Sequence, residues 1–187
     1  DQLYFMEPDE FGRIVDWIVE SSGPVDLINV TGGEPTLHPR ILELLARARR
    51  PEIGRITVNS NGLRLADDMD LCRKLADLGV SVILSFNTFD GATSTKMHGR
   101  DLVEIKLRAI ENLRRAGAFM TLLTVACRGV NEHELGKLFD LEMGSEHILS
   151  FTIQTMTYTG QGGGHFKRAA HLPVDETTRL LCEQSSG

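Results

Sequence analysis

Five short runs rich in β-branched and aliphatic residues alternate with helical patterns, and this alternation restricts the fold more than any other feature of the chain. The runs are Val25–Val30, 55–59, 80–86, 119–126 and 148–154. Ahead of the first, Pro8 and Asp9 open a helix in which Phe11, Ile14, Val15, Ile18 and Val19 recur at helical spacing, and Gly23-Pro24 ends it. A second helix is expected over about 39–49, with Ile41, Leu44, Leu45 and Ala48 on one face. A third runs from Asp67, its N-cap, through Leu78, with Gly79 at C′. A fourth follows Asp101 and reaches about Ala116, where Gly117 caps it. Asn131-Glu132-His133-Glu134 has the form of a capping box, Asn131 as N-cap, for a helix ending near Gly144. Val174–Gln184 supplies a last helix after the glycine-rich Gln161-Gly162-Gly163-Gly164.

Strands alternating with helices through right-handed crossovers build a parallel α/β sheet. Polar residues gather after every run: Gly32-Gly33-Glu34, Ser60-Asn61, Asn87-Thr88, Arg128 and Gln154. An open doubly wound sheet concentrates its ligand groups at one switch point, whereas a barrel spreads them over the carboxyl-terminal strand ends. The expected fold is therefore α/β, a partial TIM-type (β/α) barrel with about five of six parallel strands. Residues 1–160 would form this core, and 161–187 a glycine-rich connector and terminal helix.

The most specific strand end is Thr31-Gly32-Gly33-Glu34-Pro35. Two residues without Cβ allow a ligand to approach the main chain, Glu34 adds a negative charge, and Pro35 pushes Glu34 towards an extended conformation. Carbonyl oxygens beside a carboxylate suit an ammonium group. A phosphate would need a glycine-rich turn leading into a helix N-terminus with a lysine. On residues alone, the same stretch also reads as a tight strand-to-helix turn.

Composition removes several classes of function. A net charge of −6 and a pI near 5.5 disfavour nucleic-acid and anionic-membrane partners. No apolar run is long enough for a transmembrane helix, and no signal peptide is evident, so a cytoplasmic location is expected. The three cysteines, Cys72, Cys127 and Cys182, stand singly, without metal-ligand spacing. The chain starts at Asp1 and ends on Ser185-Ser186-Gly187, and it reads as part of a longer protein. His98, His133, His147 and His165 show no ligand spacing and are read as solvent-facing; Lys106 and Arg108 are read as part of a solvated helix face. Phe86, Met97 and Met156 are assigned to core packing.

Thr31-Gly32-Gly33-Glu34-Pro35 after a strand resembles the amino-group motif of the radical S-adenosylmethionine (SAM) superfamily. Further segments extend the likeness in order: Asn59-Ser60-Asn61-Gly62, Thr88-Phe89-Asp90-Gly91, Arg128-Gly129-Val130-Asn131, and Gln154, where Thr155 replaces the family's proline. Within the superfamily, 98–102, 106–114 and 128–136 are similar to tetraether lipid synthase and radical methylase-like members, and more distantly to the molybdenum-cofactor biosynthesis cyclase; His98 stands where those relatives carry arginine.

The resemblance implies an enzyme that cleaves SAM reductively to a 5′-deoxyadenosyl radical, which abstracts hydrogen from a small-molecule or lipid substrate for methylation or C–C bond formation. It implies a [4Fe–4S] cluster and an electron donor such as ferredoxin or flavodoxin. Gly32, Gly33 and Glu34 would hold the SAM ammonium, Ser60 and Thr88 the methionyl carboxylate and ribose, and Gln154 the adenine region, with Thr31, Pro35 and Asn61 also counted among the cofactor-binding residues. The family's Cys-x-x-x-Cys-x-x-Cys loop does not occur in this chain, so cluster cysteines are expected upstream and this stretch alone is expected to be inactive. With no strand before it, Val25–Val30 would form an open edge and an aggregation hazard. A SAM- or nucleotide-binding scaffold without a cluster is the alternative. Asn61-Gly62 and Asp90-Gly91 also read as bare turns, and Thr88, Arg128 and Gln154 as ordinary structural polar groups.

Overall fold

In the computed structural model, which describes residues 4–156 and 170–185, strands β1 (Val25–Val30), β2 (Ile53–Ser60), β3 (Val80–Ser85), β4 (Met120–Ala126) and β5 (Ile148–Thr155) hydrogen-bond in sequence order. The helices are α1 (Pro8–Ser22), α2 (Ile41–Ala48), α3 (Met69–Asp77), α4 (Gly91–His98), α5 (Val103–Ala116), α6 (Leu135–Met143) and α7 (Val174–Gln184). Parallel pairing sets Val30 opposite Val58 and Ser60 opposite Leu84. This α/β order, with no switch point, is that of a partial TIM-type barrel. Two units can be distinguished: Asp1–Leu84 with Arg108–Met120, and Ser85–Leu107 with Thr121–Gly187.

In the first unit, Ile56 and Val58 of β2 and Val80, Val82 and Leu84 of β3 are buried, as are Leu44, Leu45 and Ala48 of α2 and Leu71 and Leu75 of α3. Each large aliphatic side chain so buried contributes about 1.5–3 kcal/mol. The alternate residues of β2 are polar: the Thr57 hydroxyl donates to Asn29 Oδ1 at 2.9 Å, and Asn59 follows on the same side by the period of two. The Val82 amide donates to the Phe119 carbonyl at 2.9 Å, pairing β3 with the start of β4.

In the second unit, Phe86 N donates to Leu123 O at 2.9 Å, and Met156 N to Ala126 O at 3.2 Å. Ala126, Leu135 and Leu172 form one apolar cluster, with Ile153, Leu180 and Leu181 against it. Cys127, Val130, Met156 and Ala170 form another. A groove of about 230 Å³ between β5 and α7 is lined by Phe151, Ile153, Val174, Thr178 and Leu181.

Several expectations are corrected. Helix α4 has no counterpart in the sequence reading, because Gly-Ala-Thr-Ser-Thr-Lys-Met-His lacks an apolar period; it forms because the Asp90 carboxylate accepts from Thr93 N at 2.6 Å and Gly99 closes it at φ 78°. Asp68, not Asp67, caps α3, accepting from Leu71 N at 2.9 Å, while Asp67 pairs with Arg108. The capping box does not form: 132–134 make a 3₁₀ turn, α6 starts at Leu135, and the Asn131 side chain makes no cap bond. Lys106 is not on a solvated face. It is 3 % exposed, and its ammonium donates to the Ser85 carbonyl at 2.6 Å and hydroxyl at 2.9 Å. The connector at 161–164 and His165 lie outside the described residues.

Candidate functional site

At the end of β1 the chain leaves the sheet through Glu34, whose φ −131° and ψ 100° are the extended conformation a following proline demands. Its carboxylate is saturated by local donors. Oε1 accepts from Thr36 N at 3.2 Å, Thr36 Oγ1 at 2.5 Å and Ser60 Oγ at 2.9 Å, and Oε2 accepts from Asn61 N at 2.7 Å. Hydrogen bonds to a charged acceptor are worth about 1.5–3 kcal/mol each before any non-additivity, so Glu34 joins the end of β1 to the end of β2. Ser60 Oγ in turn accepts from Gly62 N at 3.0 Å, and Asn61 Oδ1 accepts from Leu63 N at 2.9 Å.

Held by that clasp, Gly32 and Gly33 are exposed, and among the described residues no hydrogen bond engages their peptide groups. Gly32 takes φ 147°, where a side chain is strained, and a Cβ built on either glycine meets nothing within 4 Å. One residue past the Val30–Val58 pair, on β2, the Asn59 Oδ1 is buried and has no hydrogen-bond partner among the described residues. Such an orphaned acceptor costs about 1–3 kcal/mol unless a ligand or water donates to it. Open carbonyls, an unpaired amide oxygen and a fixed carboxylate make an acceptor-rich, negative corner. Its carbonyl and amide oxygens suit ammonium and hydroxyl donors such as those SAM carries.

The second unit carries its own polar strand end. Thr88, 3 % exposed, donates its hydroxyl proton to Glu134 Oε2, and the Phe89 amide donates to Glu134 Oε1 at 3.1 Å. Asn131 bridges Cys127 N at 2.8 Å, Asn87 O at 2.8 Å and Val125 O at 2.9 Å, and Asn87 Oδ1 accepts from Val125 N at 2.8 Å. These contacts explain why the capping box fails: Asn131 and Glu134 are both drawn onto the ends of β3 and β4. Phe89 packs edge-on against Phe86, with the Lys137 ammonium 4.2 Å from its ring centre. Partial desolvation, and after it the Lys106 ammonium, lower the pKa of His98, whose Nε2 lies 3.3 Å from Asn87 Nδ2.

Of the residues singled out in the sequence, Thr31, Gly32, Gly33, Glu34, Pro35, Ser60 and Asn61 come together in the first unit. Thr88 and Gln154 stand in the second, Gln154 exposed on β5. Arg128 is held by Glu176 at 2.6 Å, and its amide donates to Ala170 O at 2.9 Å. Asn59, Glu134 and Lys106 were not singled out as site residues. A β2 alternation that stays polar on one side was the available signal for Asn59; Glu134 and Lys106 had none.

A [4Fe–4S] cluster needs three or four converging thiolates. Among the described residues no three His, Cys, Asp or Glu side chains are placed to hold a metal. Burial, and then Asp68, push the Cys72 thiol up to about 11; burial, and then Glu132, raise Cys127; Cys182 is exposed. These cysteines do not fit the cluster. No helix among the described residues is long and apolar enough to cross a membrane.

The model of the radical SAM superfamily matches residues 1–141. The chain is 24% identical over 191 residues to the 7,8-dihydro-6-hydroxymethylpterin dimethyltransferase of Methanocaldococcus jannaschii, covering 100% of this chain and 37% of the relative. It is 34% identical over 134 residues to the GTP 3',8-cyclase of Erythrobacter litoralis, covering 69% of this chain and 39% of the relative. It is 25% identical over 182 residues to a probable GTP 3',8-cyclase of Thermoplasma volcanium, covering 96% and 54%. The chain thus spans between about a third and about half of these curated relatives.

Proposed function

This chain belongs to the radical SAM superfamily, whose members are enzymes using SAM and a [4Fe–4S] cluster, and from that premise we propose that the glycine turn at the end of β1 is its SAM-binding element. The whole protein would cleave SAM reductively to methionine and a 5′-deoxyadenosyl radical that abstracts a substrate hydrogen, for methylation or C–C bond formation on a small-molecule or lipid substrate. In this family the cluster supplies the electron, drawn from a donor such as ferredoxin or flavodoxin.

The observation that carries the reading is the pair of unengaged, exposed peptide groups at Gly32 and Gly33 beside a carboxylate already saturated by four donors. Glu34 therefore acts by fixing the turn and by its charge. The main-chain carbonyls accept from the ammonium group, and Asn59 Oδ1 takes a further ligand donor. The assignment of Thr88 and Gln154 to the same cofactor rests on the family resemblance.

Gly33→Val tests this reading. A Cβ at Gly33 meets nothing within 4 Å, so the fold should tolerate the side chain while the ligand's approach is filled. SAM affinity, followed by ligand-observed NMR titration, should fall by about tenfold or more with the thermal midpoint retained. Unchanged affinity would refute the assignment.

A further inference from the structure

The Thr88–Glu134 contact bears on which ligand groups the end of β3 can meet, an inference that rests on the SAM reading above. We propose that Glu134 is a positioning residue that holds the Thr88 hydroxyl proton, so that Thr88 accepts a hydrogen bond from a ligand hydroxyl and cannot donate one to a ligand carboxylate.

A threonine hydroxyl has one proton and two lone pairs. Here the hydroxyl proton is directed at Glu134 Oε2, and one lone pair accepts from Asp90 N at 2.9 Å. A single lone pair remains. Glu134 is held in place as the acceptor, because it is 8 % exposed and its other oxygen is pinned by Phe89 N at 3.1 Å. Turning the hydroxyl towards another acceptor would leave a buried carboxylate oxygen without its donor, which costs more than a neutral bond returns. A ligand carboxylate at this point would find no proton and would face a like charge. A ribose hydroxyl, which can donate, is accepted.

Within the first unit Ser60 obeys the same rule independently. Its proton goes to Glu34 Oε1 at 2.9 Å and one lone pair to Gly62 N at 3.0 Å. Both hydroxyls that the resemblance assigns to the methionyl carboxylate and ribose are therefore acceptors only, and the carboxylate must be taken by other donors.

The test compares SAM with analogues in which one ribose hydroxyl, 2′ or 3′, is replaced by fluorine, similar in size but unable to donate. Ligand-observed NMR titration of the chain gives the affinity ratio. Wild type should prefer SAM over one of the analogues by about tenfold. Thr88→Val should bring the ratio to near unity, and Thr88→Ser should keep it. Glu134→Gln can turn its amide towards Thr88 and free the proton, so it too should bring the ratio near unity, a change that loss of stability alone would not cause. If Glu134→Gln does not fold, the Thr88 hydroxyl proton in wild type provides the second measurement: it should be slow to exchange and show a through-space contact to the Glu134 side chain. A preference that survives Glu134→Gln, a fast-exchanging Thr88 proton, or equal binding of all ligands by wild type would overturn the proposal. If wild type binds none of the ligands, the SAM reading itself falls, a result distinct from binding without discrimination.

Discussion

Glu34 in the first unit and Glu134 in the second perform the same local task in different surroundings. Each carboxylate accepts a hydroxyl proton and a backbone amide from the end of a neighbouring strand: Ser60 and Asn61 for Glu34, Thr88 and Phe89 for Glu134. Glu34 is partly exposed and lies next to two open glycines, whereas Glu134 is buried at the head of α6. Clasping two strand ends beside solvent-facing main chain prepares a surface for a ligand. The same clasp inside the protein contributes chiefly to stability and hydroxyl orientation, because water cannot take the place of the acceptor when the carboxylate is removed.

The difference can be tested by removing each carboxylate in turn. Glu134→Ala strands the half-buried Phe89 amide and deprives the buried Thr88 hydroxyl of its acceptor, so unfolding free energy should drop by about 3 kcal/mol in denaturant titrations. A loss below about 1 kcal/mol would place Glu134 in the same solvent-compensated class as Glu34. Glu34→Gln should show the opposite balance. The variant amide cannot accept on both sides as a carboxylate does, and it carries no charge. SAM affinity should fall by roughly one to two decades, while stability falls less than in Glu134→Ala. An affinity equal to wild type would mean the glycine turn does not depend on its carboxylate.

The smallest expected effect concerns acid. Asp90, at the N-cap of α4 in the second unit, has its pKa held below the ordinary 3.8, first by the Thr93 amide and then by the Thr93 side chain. A carboxylate depressed in the folded state stabilises it above the unfolded pKa and loses that contribution as pH falls through the lower, folded value. Asp90→Asn keeps an acceptor for Thr93 N but does not titrate. The thermal midpoint of wild type should therefore exceed that of the variant near neutrality, and the gap should close in acid, below about pH 4. A gap that stays constant down to pH 2.5 would remove Asp90 from the list of acid-sensitive contacts.

The sequence by itself determined the parallel α/β order and the glycine turn. Both are written in local patterns: apolar periods of two and 3.6, and a Gly-Gly-Glu-Pro stretch whose backbone preferences act within a few residues. Even the extended Glu34 followed from the proline after it. Local reading failed where a polar side chain had a choice of partners. Asn131 and Glu134 satisfy a capping-box pattern, yet the tertiary structure turns them to strand ends 44 and 46 residues earlier in the chain. Lys106 sits in a helix pattern that reads as solvated, but it is buried because Ser85 offers its ammonium two acceptors. A charged or amide side chain bonds to whichever donor or acceptor folding brings within 3 Å, and burial makes that bond worth more than the local alternative. Only the tertiary structure could decide those pairings, and with them which hydroxyls are left to meet a ligand.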